Sequence, residues 1–184
     1  DHVRPDALVY SSAIENDNPD FARIPELPRL HRSLALQLAI QRAGVAPAIA
    51  VTGSCGKTSV TSYLSEALYR LGADPMALNG GLINAFRDDT YAGNFRSGRD
   101  FLVFEADESD KSLLAYHPDY AMVLNIGTDH YDKAELARVF GEFVRHARLG
   151  AVLSDEVARA LQSELPAGLP VHCFRAADVT GYGI

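Results

Sequence analysis

Short apolar runs alternate along the chain with longer segments whose apolar residues recur every three or four positions. Such runs predict buried strands, and such segments predict amphipathic helices. The predicted strands cover residues 48–53, 75–79, 100–107, 119–127, 151–155 and 170–174. The predicted helices cover residues 30–44, 57–72, 133–150 and 156–165.

This alternation predicts the fold class, an α/β domain with a mainly parallel sheet flanked by helices. The strands at 100–107 and 119–127 are apolar on both faces, which indicates a sheet covered on both sides. Ligands of such sheets bind at the carboxyl ends of the strands. Each polar motif described below follows a predicted strand, so we expect the motifs to meet at one edge of the sheet.

The first part of the chain stands apart from this alternation. An apolar run at residues 7–14 predicts a strand, and residues 15–29, rich in Pro and Asn, predict a linker. The strand is either the end of a preceding domain or an added strand of the main sheet, and we favour the preceding domain. We therefore divide the chain into a tail and linker, residues 1–29, and a main domain, residues 30–184.

Composition narrows the class of protein. The 184 residues suit one domain, or one domain plus a fragment of another. Apolar residues make up 47% of the chain and charged residues 22%, as in ordinary globular proteins. The net charge of −7 argues against a nucleic-acid partner. No apolar run approaches the roughly 18 residues of a membrane helix, so we expect no membrane partner.

The N-terminus has neither a starting Met nor the apolar region of a signal peptide, which suggests a processed or excised piece. Cys55 and Cys173 are not spaced as a metal-binding pair, and two cysteines do not indicate a disulfide scaffold. We therefore expect a cytoplasmic location.

A glycine-rich turn joins the first main strand to the next helix, and it consists of Gly53, Ser54, Cys55, Gly56, Lys57, Thr58 and Ser59. Backbone N–H groups at a helix N-terminus bind anions, and glycines let phosphate oxygens approach the backbone. Lys57 is placed to reach the β- and γ-phosphates of a nucleotide, and the Thr58 hydroxyl to bind Mg²⁺. The alternative is a structural turn with an exposed lysine, which leaves the adjacent Gly-Lys-Thr to chance. Cys55 is either a small residue that tolerates the turn, which we favour, or a reactive thiol that ATP would shield.

Two further groups of polar residues follow strands. The end of the strand at 100–107 and the residues just past it carry four carboxylates, Glu105, Asp107, Glu108 and Asp110. They form either a solvated acidic loop or, as we favour because of their place beside a phosphate site, a source of oxygen ligands for Mg²⁺. At the end of the strand at 119–127 lies Asn125, and just past it lie Asp129 and His130. His130 is either structural or placed for work on metal or phosphate.

A second glycine-rich turn, residues 77–84, follows another predicted strand. It either admits a substrate or is simply a loop, and its spacing does not decide between these readings.

Together, the segments TGSCGKTS, EADESD and NIGTDHYD resemble the Mur ligase family, the ATP-dependent enzymes that build the peptide stem of peptidoglycan. The short loop looks like that family's own form of the phosphate loop. EADESD with NIGTDHYD looks most like the branch that adds L-alanine to UDP-N-acetylmuramate. YSSAIENDNPDF looks like the end of that branch's UDP-sugar-binding domain. The resemblance runs from about residue 8 to about residue 175.

The resemblance implies a three-domain ligase, of which this chain matches the tail of the first domain and the central ATPase. The C-terminal domain is missing, so the piece is not expected to complete the reaction alone. The implied substrates are ATP, a UDP-N-acetylmuramate-type acid and an amino acid. The implied reaction passes through an acyl phosphate.

The resemblance also assigns roles to residues. Residues 53–59 would hold the phosphates, with Lys57 stabilising the transferring phosphoryl group. Thr58 and Glu105 would bind a first Mg²⁺, and His130 a second. Glu108 and Asp110 match the motif with orienting roles only.

Two departures from the family's pattern, at Ser54-Cys55 and at Gly80-Gly81, leave the acceptor open. Alanine-adding ligases usually carry Thr-His where this chain has Ser54 and Cys55. Several other Mur ligases carry a carbamylated lysine where residues 140–150 have none, which fits the alanine-adding type. The alternatives are a ligase for murein tripeptide, a ligase partnered with an amidotransferase, and a module that binds ATP without ligation.

Overall fold

A computed structural model describes residues 5–127 and 132–178. The chain divides into two compact units, the first ending at Gly44 and the second beginning at Val45. Within the described residues, no helix is long and apolar enough to cross a membrane.

The first unit contains a small parallel sheet of β1 (Leu8–Tyr10) and β2 (Arg29–His31), with helices α1 (Pro19–Arg23) and α2 (Arg32–Ala43). The predicted strand at 7–14 is therefore shorter than expected. Helix α1 lies inside the predicted linker, and β2 spans the last linker residue and the first two residues of the predicted helix at 30–44. Its pairing with β1 was not predicted, because three residues give too little periodicity to read. Helix α2 ends at Gly44, whose φ of 65° suits the left-handed end of a helix. Whether residues 1–29 end a UDP-sugar-binding domain stays a prediction.

The second unit is built on a seven-stranded sheet in the order β5-β4-β6-β3-β7-β8-β9. Its strands are β3 (Ala48–Thr52), β4 (Pro75–Leu78), β5 (Phe95–Arg96), β6 (Phe101–Glu105), β7 (Tyr120–Val123), β8 (Gly150–Ser154) and β9 (Val171–Phe174). Every neighbouring pair is parallel except β4 with β5. The prediction of an α/β domain with a mainly parallel sheet is confirmed.

The helices of this unit are α3 (Lys57–Arg70), α4 (Lys133–Arg145) and α5 (Asp155–Ala160). Helix α4 buries a continuous apolar stripe: Leu136, Val139, Phe140, Phe143 and Val144. Leu102, Val103 and Phe104 of the central strand β6 are fully buried as well. Burial of both sets supplies the main stabilising term of the fold.

The edge strand β5 was missed by the sequence analysis because it has only two residues. Arg96 holds it in place through an ion pair with Asp74, 2.8 Å between Nη2 and Oδ1. The same guanidinium lies over the ring of Tyr69, 4.8 Å from its centroid. A stacked, paired arginine thus ties β5 to the strand and helix beside it.

Asp119 organises the end of the sheet where β3 and β7 begin. Its side chain accepts a hydrogen bond from the Ala48 N–H at 2.8 Å and pairs with Arg148 at 2.6 Å. Its backbone N–H donates to the Ala48 carbonyl at 2.8 Å. The residue is only 4% exposed, so its carboxylate oxygens depend on these partners rather than on water.

Asp119→Ala is expected to lower the free energy of unfolding by about 2 kcal/mol, because it leaves the buried Ala48 N–H without its side-chain acceptor. Arg148→Ala should cost less than about 1 kcal/mol, because the Arg148 side chain is 66% exposed. Urea unfolding of both variants measures the difference. Equal losses would show that the ion pair, not the backbone hydrogen bond, is what Asp119 contributes.

Two histidine rings stack near the same end of the sheet. The centroids of His117 and His146 are 4.5 Å apart with an interplanar angle of 22°, and His146 Nδ1 lies 3.2 Å from the Tyr116 carbonyl oxygen. Partial burial, and secondly the charge of His146, lower the pKa of His117. The folded state therefore favours the neutral ring.

A histidine whose pKa is lower in the folded state binds protons more readily when unfolded, so the protein should lose stability as the pH falls below about 6.5. His117→Gln should lessen this loss. Melting temperatures across pH 5 to 8 test it, with the exposed His172 replaced by Gln as the control. An identical pH dependence in His117→Gln and the wild type would contradict the assignment.

Candidate functional site

The site is built around the turn between β3 and α3. Gly53 has a φ of 143° and Gly56 a φ of 82°, conformations that L side chains rarely adopt. A Cβ on Gly53 would also lie 3.0 Å from the Leu124 Cβ. No side chain among the described residues caps the first turn of α3. Its N–H groups and its helix dipole are therefore available to an anion such as phosphate.

Asn125, two residues past the end of the neighbouring strand β7, holds this turn. Its Oδ1 accepts from the Cys55 N–H at 3.0 Å, and its Nδ2 donates to the Cys55 carbonyl at 2.9 Å. The Gly127 N–H adds a hydrogen bond to Ser54 Oγ at 2.7 Å. Two consecutive residues of the turn are thus fixed, so its N–H groups point in set directions before any ligand arrives.

Thr58, in the first turn of α3, meets Glu105, the last residue of β6. The Thr58 hydroxyl lies 3.1 and 3.0 Å from the two Glu105 carboxylate oxygens. The Gly80 N–H donates to Glu105 Oε2 at 2.9 Å. A hydroxyl and a carboxylate side by side next to a phosphate-binding turn are oxygen ligands that fit Mg²⁺.

Lys57 is paired with Glu108. Its Nζ lies 2.8 Å from Glu108 Oε2 and 3.1 Å from Oε1, and it also donates to the Gly53 carbonyl at 3.0 Å. The Glu108 side chain is only 2% exposed and that of Lys57 15%. The family resemblance implies only an orienting role for Glu108, because nothing in the motif shows which residue it faces.

The second glycine-rich turn forms a wall of the site. A Cβ on Gly80 would lie 2.8 Å from Glu105 Oε2, and one on Gly81 would lie 2.8 Å from Thr58 Cγ2. Asn79 fixes the turn by donating to Ser62 Oγ at 2.8 Å and to the Gly81 carbonyl at 3.1 Å. A side chain at either glycine would therefore displace Glu105 or Thr58 from its observed position. The alternative that the turn admits a substrate stays a prediction.

A groove of about 330 Å³ opens beside this turn, and its lining includes Ser59, Ser62, Tyr63, Leu82 and Asn84. Tyr63 and Leu82 are 74% and 60% exposed. The groove therefore adjoins the phosphate-binding turn at Ser59 and presents both hydroxyl groups and apolar surface.

The other acidic residues of the motif serve their own loop. Asp107 Oδ1 accepts from the Ser109 N–H at 3.2 Å, and Asp110 Oδ1 accepts from the Ser112 N–H at 2.9 Å. Asp129 and His130 lie outside the described residues, so the proposed second metal ligand has no geometry here. Within residues 5–127 and 132–178, no cluster of three or more His, Cys, Asp or Glu side chains could hold a metal.

The structure thus brings residues 53–59 together with Glu105, as the sequence predicted for one edge of the sheet. Asn125 and Glu108 were noticed in the sequence, but their partners were missed. Asn125 follows a strand that lies beside β3, and only the strand order reveals which turn it faces. Cys55 is exposed, and either reading of its thiol stays open.

Residues 51–149 match the Mur ligase middle domain. The chain belongs to the Mur ligase family. It is the ATP-binding domain of that family and is related to the alanine-adding ligases. The resemblance stated from the three sequence motifs is confirmed.

Curated relatives agree with this assignment. UDP-N-acetylmuramate–L-alanine ligase of Bifidobacterium longum is 37% identical over 177 residues, which cover 91% of this chain and 34% of the relative. The enzyme of the same name from Streptomyces avermitilis is 41% identical over 148 residues, covering 78% of this chain and 30% of the relative. The chain spans about a third of the length of these relatives.

Solved structures share the fold. UDP-N-acetylmuramate–alanine ligase of Thermotoga maritima superposes with a TM-score of 0.75 at 25% identity, covering 87% of this chain and 38% of that one. A murein peptide ligase of Psychrobacter arcticus gives a TM-score of 0.67 at 22% identity, covering 93% and 40%. At 22% identity, the similarity to the murein peptide ligase shows a shared fold only.

Asn125→Ala should loosen the phosphate-binding turn, because it removes both side-chain hydrogen bonds to the Cys55 backbone. We expect about 1 kcal/mol less stability and at least tenfold faster amide exchange at Cys55. Hydrogen exchange measures this, with the exposed Asn94→Ala as the control. Unchanged exchange at Cys55 would mean that the turn keeps its conformation without Asn125.

Proposed function

We propose that this chain is the ATP-binding part of a ligase that joins an amino acid, L-alanine, to UDP-N-acetylmuramate in peptidoglycan precursor synthesis. The observation that carries the proposal is the convergence of Lys57, Thr58 and Glu105 at the end of β3 and β6. The 37–41% identity to curated alanine-adding ligases supports this choice of substrates.

In the proposed reaction, a carboxylate oxygen of UDP-N-acetylmuramate attacks the γ-phosphorus of ATP, and ADP leaves. The acyl phosphate is then attacked by the amino group of L-alanine. The tetrahedral adduct expels inorganic phosphate and loses a proton, which leaves the amide. Catalysis of such a transfer depends on positioning and on stabilising charge, and these are what the described residues offer.

Each residue has a proposed part. The turn of residues 53–59 would bind phosphate oxygens through the N–H groups at the start of α3, and Lys57 would stabilise the transferring phosphoryl group. Thr58 and Glu105 would hold a first Mg²⁺, and His130, outside the described residues, would hold a second. The metal ions would offset the negative charge of the phosphates. Thr58 and Glu105 fit this role because their oxygens already lie within 3.1 Å of one another.

The remaining parts of the ligase are proposed from the family. Residues 1–29 would end a UDP-sugar-binding domain, residues 30–184 would form the central domain, and a C-terminal domain would complete the nucleotide and amino-acid sites. The chain alone would then not complete the reaction. A cytoplasmic location, with no nucleic-acid or membrane partner, stays a prediction.

Phosphate release tests the proposed reaction in the full-length protein that carries this chain. The protein is incubated with Mg-ATP and UDP-N-acetylmuramate, and with L-alanine, glycine, L-serine or murein tripeptide as the second substrate. Release that requires L-alanine is expected. Release with the tripeptide alone would indicate a recycling ligase, and nucleotide binding without release would indicate a module that does not ligate.

Lys57→Ala should lower this release by at least about a hundredfold, because the phosphoryl group loses a fixed cation. It also leaves the buried Glu108 unpaired, so it should lower stability as well. Lys57→Arg keeps a charge for Glu108 but not the point-like ammonium, and it should retain stability while losing activity. Lys133→Ala, at an exposed lysine, is the control. Wild-type release by Lys57→Ala would remove Lys57 from the mechanism.

A further inference from the structure

The amino group of Lys57 is folded back onto its own turn. It contacts the Gly53 carbonyl and both carboxylate oxygens of Glu108, the closest at 2.8 Å. Glu108 is 2% exposed, so water offers its charge little compensation. Lys57 and Glu108 therefore neutralise one another within the turn, before any phosphate is present.

The charges nearest the turn do not favour a bare anion. Among the described residues, Lys57 pairs with the carboxylate of Glu108, and a second carboxylate, Glu105, sits against Thr58. The partial positive charge of the α3 N-terminus is the other attraction for a phosphate. A metal-free nucleotide must therefore compete with Glu108 for Lys57, and it is also repelled by Glu105.

We propose that Glu108 is a positioning residue that holds Lys57 and makes nucleotide binding depend on the accompanying Mg²⁺. The inference rests on the proposed function, since it places a nucleotide at this turn. With the ion present, Thr58 and Glu105 hold a positive charge beside the phosphates, and Lys57 is not needed as the only counter-charge. Without the ion, the Glu108 carboxylate keeps Lys57 engaged, and the turn binds nucleotide weakly.

Glu108→Gln removes the negative charge of this side chain and keeps its shape. The amide has nearly the same volume, it is easier to bury than a carboxylate, and its oxygen still accepts from Lys57. Asp110→Asn is the matched control because it removes the same charge from the same loop. The Asp110 side chain bonds the Ser112 N–H rather than Lys57.

The experiment measures the dissociation constant of ADP by calorimetry in the full-length protein, once with Mg²⁺ and once with EDTA. ADP is used because it is not turned over. Glu108→Gln is expected to bind ADP about tenfold more tightly than the wild type in EDTA, with a smaller change in Mg²⁺. Asp110→Asn should stay within about twofold of the wild type in both.

Three results would overturn the inference. The first is an affinity of Glu108→Gln for ADP in EDTA that is unchanged or weaker than that of the wild type. The second is an equal gain in affinity in Asp110→Asn. The third is a gain from Glu108→Gln that persists when Lys57→Met is present in both proteins that are compared. The last result would mean that Glu108 repels phosphate directly and does not act through Lys57. If Glu108→Gln does not fold, as judged by thermal melting, Glu108→Asp replaces it, because its shorter carboxylate withdraws from Lys57 and should give a smaller gain.

The wild-type titration separates this inference from the proposed function. Absence of Mg-ADP binding at millimolar concentration would contradict the nucleotide site itself. Binding of Mg-ADP by the wild type, with no gain in Glu108→Gln, would contradict only the role of Glu108.

Discussion

The parallel pairing of β3 with β6 on one side and β7 on the other is the constraint on which the site depends. Val51 pairs with Glu105, and Thr52 pairs with Val123. Because the three strands run in the same direction and end together, the residues that follow each of them meet. A shift of one residue in either pairing would turn the side chains of that strand to the opposite face and separate these groups.

Within that frame, the site is arranged by short polar contacts rather than by apolar packing. Asn125 fixes the backbone of the turn, Glu105 engages Thr58, and Glu108 engages Lys57. The contact of Asn125 thus sets the shape of the turn, and the separate contact of Glu108 offsets the charge of Lys57. The turn is thus organised in advance for phosphate, while its lysine is already held by a carboxylate.

Much of this could be predicted from the sequence. Apolar runs such as residues 48–53 and 100–107 located the central strands, and Gly-Lys-Thr after a strand located the phosphate turn. The sequence also indicated that Thr58 and Glu105 could bind Mg²⁺, because both lie near the ends of predicted strands. The two-residue strand β5 was not readable, since it has no periodicity. Nor were the partners of Asn125 and Glu108, because they depend on strand order and on a side-chain direction that spacing does not encode.

The hydrogen bonds that hold the turn also determine which residue types Ser54 and Cys55 can be replaced by. At Cys55 both hydrogen bonds involve backbone atoms, so every residue type except proline keeps them. At Ser54 the bond from Gly127 ends on the side-chain hydroxyl, so only serine or threonine preserves it. Position 55 is therefore able to change its side chain while the hydrogen bonds that hold the turn remain.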